Sequence, residues 1–430
     1  MKRNHTTLQT GQENTDEWGH TQAGIDLEWV PSEADKLRIQ AEYYAGKETD
    51  HSAPSSIDGQ HVMGTWKHAF SDRSELVLQG YADRTWRLDI PGTVSDELYT
   101  YDLDVQHHLR LANRHRLIWG AGYRLMDDHT NNLTSFVGFV PKDRKMHLAS
   151  AFVQDEIPLA GERLNLILGT KLQHHSFTGF EWQPSARLSY IPKDRQLVWA
   201  AVSRAVRAPS RIDVDYYLPV PPVPPGSPRV AGGPDFTSEK LLAWELGYRT
   251  QPMAGLSVSL STFYNVYDDL YSVEALPGTV TYQIRNGSRG TSFGAELSAN
   301  YVFTSYWSMR GGYTFFHKNL ENKPGNASDP RLLGNLGTDA DNQAMLQSAF
   351  NVTRNLQVDL LARYLDYLPA NLYNARVPSY VSLDTRIAWQ YGKRLELSLN
   401  GQNLLQKRHL EFGNGSFAER GIFGKITWRH

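Results

Sequence analysis

Apolar and polar residues alternate with a period of two in segment after segment of this 430-residue chain. The pattern is clear in Leu37–Tyr43, Leu256–Ser261 and Leu395–Asn400. Successive side chains of a β-strand point to opposite faces, so each segment predicts a strand with one apolar and one wet face. No run approaches the roughly 18 apolar residues that a membrane-spanning helix needs. The sequence therefore predicts an all-β chain without a helical membrane span.

The spacing of the predicted strands is more informative than the strands themselves. Nineteen strands are predicted: 16–30, 36–46, 61–70, 73–90, 97–110, 115–128, 145–157, 162–176, 181–191, 196–206, 238–251, 255–272, 279–303, 307–318, 341–351, 355–366, 380–390, 394–402 and 419–430. Gaps after odd strands are short. Those after even strands are mostly long, namely 47–60, 129–144, 207–237, 319–340, 367–379 and 403–418, with an exception near Phe177–Phe180. Membrane barrels separate short periplasmic turns from long outer loops in this way. The predicted fold is a transmembrane antiparallel β-barrel.

Aromatic residues cluster near the predicted short turns. The set is Trp29, Tyr190, Trp199, Tyr301, Trp307, Trp389 and Trp428. Rings with one polar edge favour the headgroup level of a bilayer, and membrane barrels carry girdles of them at both interfaces. We therefore expect these seven side chains to face lipid.

Strand parity predicts where the chain begins. The last strand ends on the short-turn side, so an odd count places the N-terminus on the long-loop side. Single-chain bacterial barrels normally have an even number of strands. We therefore expect residues 1–15 to be a remnant of an extracellular loop and residues 16–430 a partial barrel. The first ten residues lack the apolar core of a secretion signal, which indicates either a cytoplasmic protein or a lost start.

Composition and motifs argue against other classes. There is no cysteine, which excludes disulfides and cysteine metal sites, and the net charge of −2 with scattered basic residues argues against nucleic-acid binding. His107–His108, His174–His175, Asp155–Glu156 and Asp268–Asp269 are neighbours on predicted strands, so the members of each pair point to opposite faces. Neither a metal site nor a catalytic pair is expected. We predict no enzyme activity and no cofactor.

Six segments in residues 180–430 resemble signatures of TonB-dependent outer-membrane receptors. They are Trp182-Gln183-Pro184, Ser203-Arg204-Ala205-Val206-Arg207-Ala208-Pro209, Ser238-Glu239-Lys240 with Glu245-Leu246-Gly247-Tyr248, Tyr267-Asp268-Asp269-Leu270, Asn286-Gly287 with Gly294-Ala295-Glu296, and Asn403-Leu404-Leu405. Residues 16–180 fit by strand pattern alone. His430 stands where the family usually ends in an aromatic residue.

The resemblance implies a 22-stranded barrel filled by an N-terminal plug, in the outer membrane of a Gram-negative cell. Such receptors import scarce ligands, usually ferric siderophores, with energy from the TonB complex. About 19 of the 22 strands are expected in this sequence. Contact with the TonB complex is expected only through the plug, which this sequence lacks. Uptake of haem, cobalamin or another ligand by the same fold remains open, as does a passive porin-like barrel. A secreted β-rich enzyme would need a catalytic pair, and none is found.

The candidate ligand residues lie in the predicted outer loops. Loop 207–237 carries Tyr216, Tyr217 and Arg229 beside a proline-rich stretch, while Tyr271 and Tyr373 lie near other loop bases. Aromatic loops would suit a catecholate or planar chelate. An equally open interpretation is a stiff loop that shields the mouth without touching ligand. Arg204 and Arg207 could bind anions, but their place in a family signature favours a structural role.

Overall fold

In a computed structural model, the chain forms one large antiparallel wall. The structure describes all residues except 1, 4–6, 9–11, 14–16, 51–52, 112–114, 162, 225, 327, 329–331, 334–335, 372–373, 414–415 and 430. In the described part, no helix is long and apolar enough to cross a membrane. The two helices are single short turns, Ile90–Thr93 and Arg211–Asp215.

Nineteen strands build the wall. They are β1 Trp18–Trp29, β2 Asp35–Asp50, β3 Ala53–Ser71, β4 Ser74–Asp89, β5 Val94–Leu111, β6 His115–Asn132, β7 Asp143–Pro158, β8 Leu164–His175, β9 Gly179–Tyr190, β10 Gln196–Arg207, β11 Glu239–Met253, β12 Leu256–Ala275, β13 Thr281–Thr304, β14 Trp307–Asn322, β15 Asn342–Asn351, β16 Leu356–Leu365, β17 Tyr380–Tyr391, β18 Leu395–Gln402 and β19 Gly421–Trp428. Each matches one predicted strand, so the predicted number and order are confirmed.

Consecutive wall strands pair in antiparallel registers from β1 to β19. Examples are Leu27 opposite Ile39, Val202 opposite Trp244, and Leu399 opposite Gly424. Connections after odd strands are short, such as 72–73 and 254–255, whereas 208–238, 323–341 and 403–420 follow even strands. The predicted long loop at 47–60 is wrong, because β2 and β3 continue as a hairpin to the pair Asp50 and Ala53.

The two faces of the wall differ in chemistry. On β11, Leu242, Trp244, Leu246 and Tyr248 are exposed on one face, while Ala243 and Glu245 lie on the other. This apolar face continues across the neighbouring strands and is the lipid-facing side. The opposite face carries ion pairs along the lumen. They include Arg124 with Asp102 at 2.8 Å and Arg386 with Asp359 at 3.0 Å.

Trp199 is the exception among the predicted girdle residues. It lies opposite Gly247 and Ser189, on the lumen face, and the Arg187 guanidinium lies 5.2 Å from its ring centroid. A Cβ built on Gly247 would stand 2.2 Å from that ring. The prediction that Trp199 faces lipid is therefore wrong. The indole faces inward because Gly247 leaves room for it.

The first and last strands are the most exposed parts of the wall. Every residue from Thr21 to Trp29 is exposed, as is every residue from Ile422 to Ile426. Each of these two strands has one long partner in the registers, β2 and β18 respectively. On the long-loop side, Lys2–Arg3 pairs with the start of β1, and Thr7–Leu8 pairs with Ser416–Phe417. These described parts of residues 1–15 lie on the long-loop side.

Replacing Gly247 with Val should destabilise the wall, because the new side chain would overlap the Trp199 ring. Overpacking of this kind costs about 1–3 kcal/mol or more. We expect a smaller fraction of heat-modifiable, folded protein on a gel run without boiling. Gly64→Val is the matched control, since a Cβ at Gly64 meets nothing within 4 Å. Equal folded fractions for the two variants would contradict the account.

Candidate functional site

Residues 208–238, between β10 and β11, form a long connection on the long-loop side of the wall. We call it the strap. Its first part is the helix Arg211–Asp215, followed by the short strand Tyr216–Leu218, which pairs with Gly138–Phe139 of the β6–β7 connection. The return strand Arg229–Ala231 pairs with Tyr217–Leu218 and, in parallel, with Thr281–Gln283 of β13. The strap therefore joins the tops of wall strands that are distant in the sequence.

Arg211 attaches the strap helix to β6 and to the β6–β7 connection. Its side chain is only 6% exposed and lies 3.0 Å from both Asp128 of β6 and Asp215 of the strap. It also donates to the backbone oxygens of Pro141 and Lys142. Charges so buried need partners, because an unpaired buried ion is strongly unfavourable. Here carboxylates and carbonyl oxygens surround the guanidinium.

Arg207, the last residue of β10, attaches the strap helix to the start of β11. Its guanidinium lies 2.5 Å from Glu239 at the start of β11 and 2.9 Å from Asp213 of the strap helix. Asp213 also accepts a hydrogen bond from the backbone N–H of Ser210, at 2.8 Å, which fixes the start of that helix. Arg204, by contrast, donates to the backbone oxygen of Trp182 and lies 3.3 Å from Glu181. Both arginines of the family signature thus hold parts of the wall and strap together.

Asn286 and its neighbours form a network of hydrogen bonds and ion pairs at the base of the strap. The Asn286 amide accepts from the backbone N–H of Thr237 at 2.7 Å and donates to the backbone oxygen of Asp269 at 2.7 Å. Asp269 has a positive φ of 55° and pairs with Lys240 and Lys323, each at 2.5 Å. Burial alone would lower the pKa of Lys323, but hydrogen bonds to Asp268 and Asp269 outweigh it and raise that pKa.

The structure brings three of the predicted ligand residues together on the strap. Tyr216 and Tyr217 are adjacent on one strand, so their side chains point to opposite faces. The Tyr216 ring lies 6.2 Å from Phe139. Arg229 lies on the neighbouring return strand and donates through Nε to Thr281 Oγ1 at 3.1 Å.

The other two predicted ligand residues lie apart from the strap hairpin. Tyr271 belongs to β12, and its ring lies 6.4 Å from Phe236 near the base of the strap. Tyr373 lies outside the described residues. Their roles as ligand contacts stay predictions.

A cavity of roughly 360 Å³ lies beside the strap base, between residues 233–237 and the β12–β13 hairpin. Its polar lining includes Glu274, Arg285 and Asn286, and Phe236 supplies a buried ring. Sequence reasoning missed Arg211, Asp128 and this cavity. The only signal in the sequence was the cluster of charges in 207–215, because the contact between Asp128 and Arg211 spans 83 residues. No group of three or more His, Asp or Glu side chains able to hold a metal ion occurs among the described residues.

A long antiparallel wall with an apolar outer face, a charged inner face and one-sided long loops defines an outer-membrane β-barrel. Residues 3–404 match the family described as "TonB dependent receptor-like, beta-barrel". The chain belongs to this family of receptors and lies in the outer membrane of a Gram-negative cell.

Curated relatives are distant in sequence. An iron-regulated outer membrane virulence protein of Vibrio cholerae is 24% identical over 287 residues, which cover 63% of this chain and 41% of that protein. A probable TonB-dependent siderophore receptor of Acinetobacter baumannii, PiuA, is 31% identical over 124 residues, covering 27% of this chain and 17% of its own length. The chain thus spans less than half the length of these relatives.

Solved structures share the fold. A variant of the ferric enterobactin receptor PfeA from Pseudomonas aeruginosa superposes with a TM-score of 0.79 at 16% identity, covering 99% of this chain and 72% of that chain. The siderophore receptor PirA from Acinetobacter baumannii gives the same TM-score and coverages at 14% identity. At these identities the likeness establishes the fold alone.

Replacing Arg211 with Met should break the attachment of the strap helix to β6. The variant would leave the buried Asp128 carboxylate without its partner, and breaking a buried ion pair in this way costs about 3–5 kcal/mol. We expect faster amide hydrogen exchange in residues 211–231 with the wall strands unchanged. Arg376→Met is the control, because Arg376 is an exposed outer-loop arginine above the Tyr367 ring. Unchanged exchange in the strap of the Arg211 variant would sink the assignment.

Proposed function

We propose that this barrel belongs to a receptor that takes up a scarce ligand, a ferric siderophore, by TonB-energised transport. The strap supports the proposal, since Tyr217 and Arg229 lie on the same face of its two short strands, on the long-loop side of the wall. A guanidinium can form charge-assisted hydrogen bonds with the oxygens of an anionic chelate. Aromatic rings add flat apolar surface for a catecholate.

The relatives point in the same direction. One bears the name of a siderophore receptor, another is iron-regulated, and a structural neighbour is a receptor for ferric enterobactin. Family membership also favours a gated receptor over a passive porin, because barrels of this family's size hold a plugged lumen. We propose that the energy for transport reaches the barrel through a lumen-filling segment that contacts TonB.

Ligand class can be tested in cells that make a receptor containing this barrel and lack other siderophore receptors. We expect iron-labelled ferric catecholate to bind on ice and to enter only when the cells are warmed and possess TonB. Ferric hydroxamate, haem and cobalamin serve as the competing ligands. Binding of haem or cobalamin in place of ferric catecholate would replace the siderophore proposal, and TonB-independent entry would favour a porin.

Arg229→Ala should weaken ferric catecholate binding. Losing one charge-assisted hydrogen bond of about 1.5 kcal/mol lowers affinity roughly tenfold. The binding constant on whole cells is the measurement. Arg73→Ala, which removes the same charge from the short turn between β3 and β4, is the control and should leave binding unchanged. Equal affinity in wild type and the Arg229 variant would remove this residue from the ligand site.

A further inference from the structure

Five rings form a connected chain on the lipid-facing side of β3, β5 and β6, near the short turns. We call Trp66, His68, Phe70, His107 and Trp119 the ring chain. Successive centroid distances are 5.5 Å, 4.6 Å, 5.9 Å and 5.7 Å. Phe70 lies next to the two-residue turn 72–73, so the chain lies at the level of the lipid headgroups on the short-turn side.

The registers place the whole chain on the lipid-facing side. On β3 the side chains of Trp66, His68 and Phe70 follow the exposed Val62 at intervals of two residues. His68 and His107 lie opposite the same residue of β4, Leu76, and His107 lies opposite Trp119. The ring chain is therefore continuous with the lipid-facing surface of the barrel.

Imidazole rings distinguish this part of the girdle. Elsewhere on the short-turn side, the described ring contacts are purely aromatic, as in Tyr301–Phe303 at 4.0 Å, Phe303–Trp307 at 4.1 Å and Trp389–Tyr391 at 5.6 Å. A polar ring nitrogen that faced hydrocarbon without a partner would cost several kcal/mol, on the order of 2–7 by transfer measurements. One nitrogen of each imidazole has a protein partner, His68 Nδ1 with Asp35 at 2.7 Å and His107 Nε2 with Ser74 Oγ at 2.9 Å. The second nitrogen of each ring calls for a polar group in the lipid beside it.

Asp35 fixes which nitrogen of His68 is available. The Asp35 carboxylate lies 2.7 Å from His68 Nδ1 and also accepts from Trp66 Nε1 at 3.0 Å and Ser32 Oγ at 2.7 Å. A carboxylate surrounded by three donors can only accept, so His68 Nδ1 carries the proton. With the proton on Nδ1, Nε2 of the uncharged ring is an acceptor that points away from Asp35, and this atom has no protein partner among the described residues.

Trp119 supplies the opposite chemistry at the other end of the chain. Its indole N–H can only donate, and within the described residues it has no protein acceptor. The Trp119 side chain is 40% exposed on the lipid face. One acceptor and one donor therefore stand on the same strip of lipid-facing surface. A headgroup with both a cationic N–H donor and an anionic oxygen acceptor complements this strip.

We infer that the ring chain is a binding site for a zwitterionic phospholipid with a primary ammonium group. The ammonium donates to His68 Nε2, and the phosphate oxygens accept from the Trp119 indole. Phosphatidylcholine carries the same phosphate but has no N–H on its quaternary nitrogen, so it can satisfy only the tryptophan. This site lies on the lipid face of the barrel and is independent of the ligand that the receptor transports.

Native mass spectrometry of the detergent-extracted protein with an equal mixture of phosphatidylethanolamine and phosphatidylcholine tests this site. We expect the wild type to retain phosphatidylethanolamine over phosphatidylcholine by about tenfold, the value of one hydrogen bond to a charged group. His68→Phe keeps the ring and removes the acceptor, so the ratio should fall to about one. Trp119→Phe should lower retention of both lipids together.

His174→Phe is the matched control, because His174 makes an edge-to-face contact with Phe180 at the loop end of the wall, at a centroid distance of 4.7 Å. This variant should keep the wild-type ratio. A heat-modifiable band establishes that each variant is folded, and the wild-type ratio is decisive even if His68→Phe fails to fold. Equal retention of the two lipids by the wild type, or an unchanged ratio in folded His68→Phe, would overturn the inference.

Discussion

Every backbone N–H and C=O in the hydrocarbon layer must be hydrogen-bonded within the protein, and the rest of this structure depends on that constraint. The antiparallel registers meet it on both edges of β2 to β18, and on one edge each of β1 and β19. Once the registers are set, each residue is assigned to lipid or lumen by its parity alone. Polar and charged side chains are thereby confined to the lumen, the outer loops and the headgroup levels of the outer face. The strap is one of the outer loops, and the ring chain lies at a headgroup level.

The strap shows how short strand pairings and ion pairs can fix the position of a long loop beside the lumen. Its pairings with neighbouring segments are only two or three residues long. The ion pairs of the buried Arg211 and of the exposed Arg207 add to this attachment. A buried pair contributes little net stability, but the loss of one partner is costly. Such pairs therefore fix where the strap lies more than they stabilise the fold.

The wall could be predicted from the sequence because its signal is local. Period-two alternation and the alternation of short and long connections predicted all nineteen strands within a few residues at most ends. Predictions failed where a distant residue decides the outcome. Trp199 faces the lumen because Gly247 leaves space there, and Arg211 is buried because Asp128, 83 residues away, meets it. The ring chain needs the registers of four strands, so no single segment reveals it.

The central claim is that one face of the wall meets lipid and the other meets the lumen. It can be measured directly, because the chain has no cysteine and an introduced one is the single site for a label. Single cysteines at successive positions 241–248 of β11 can carry a spin label, and the label's collision rates with oxygen and with a water-soluble nickel chelate can be compared in bilayers. Labels at Leu242, Trp244, Leu246 and Tyr248 should favour oxygen, and those at the positions between them the nickel chelate. Accessibility without a period of two along β11 would contradict the account.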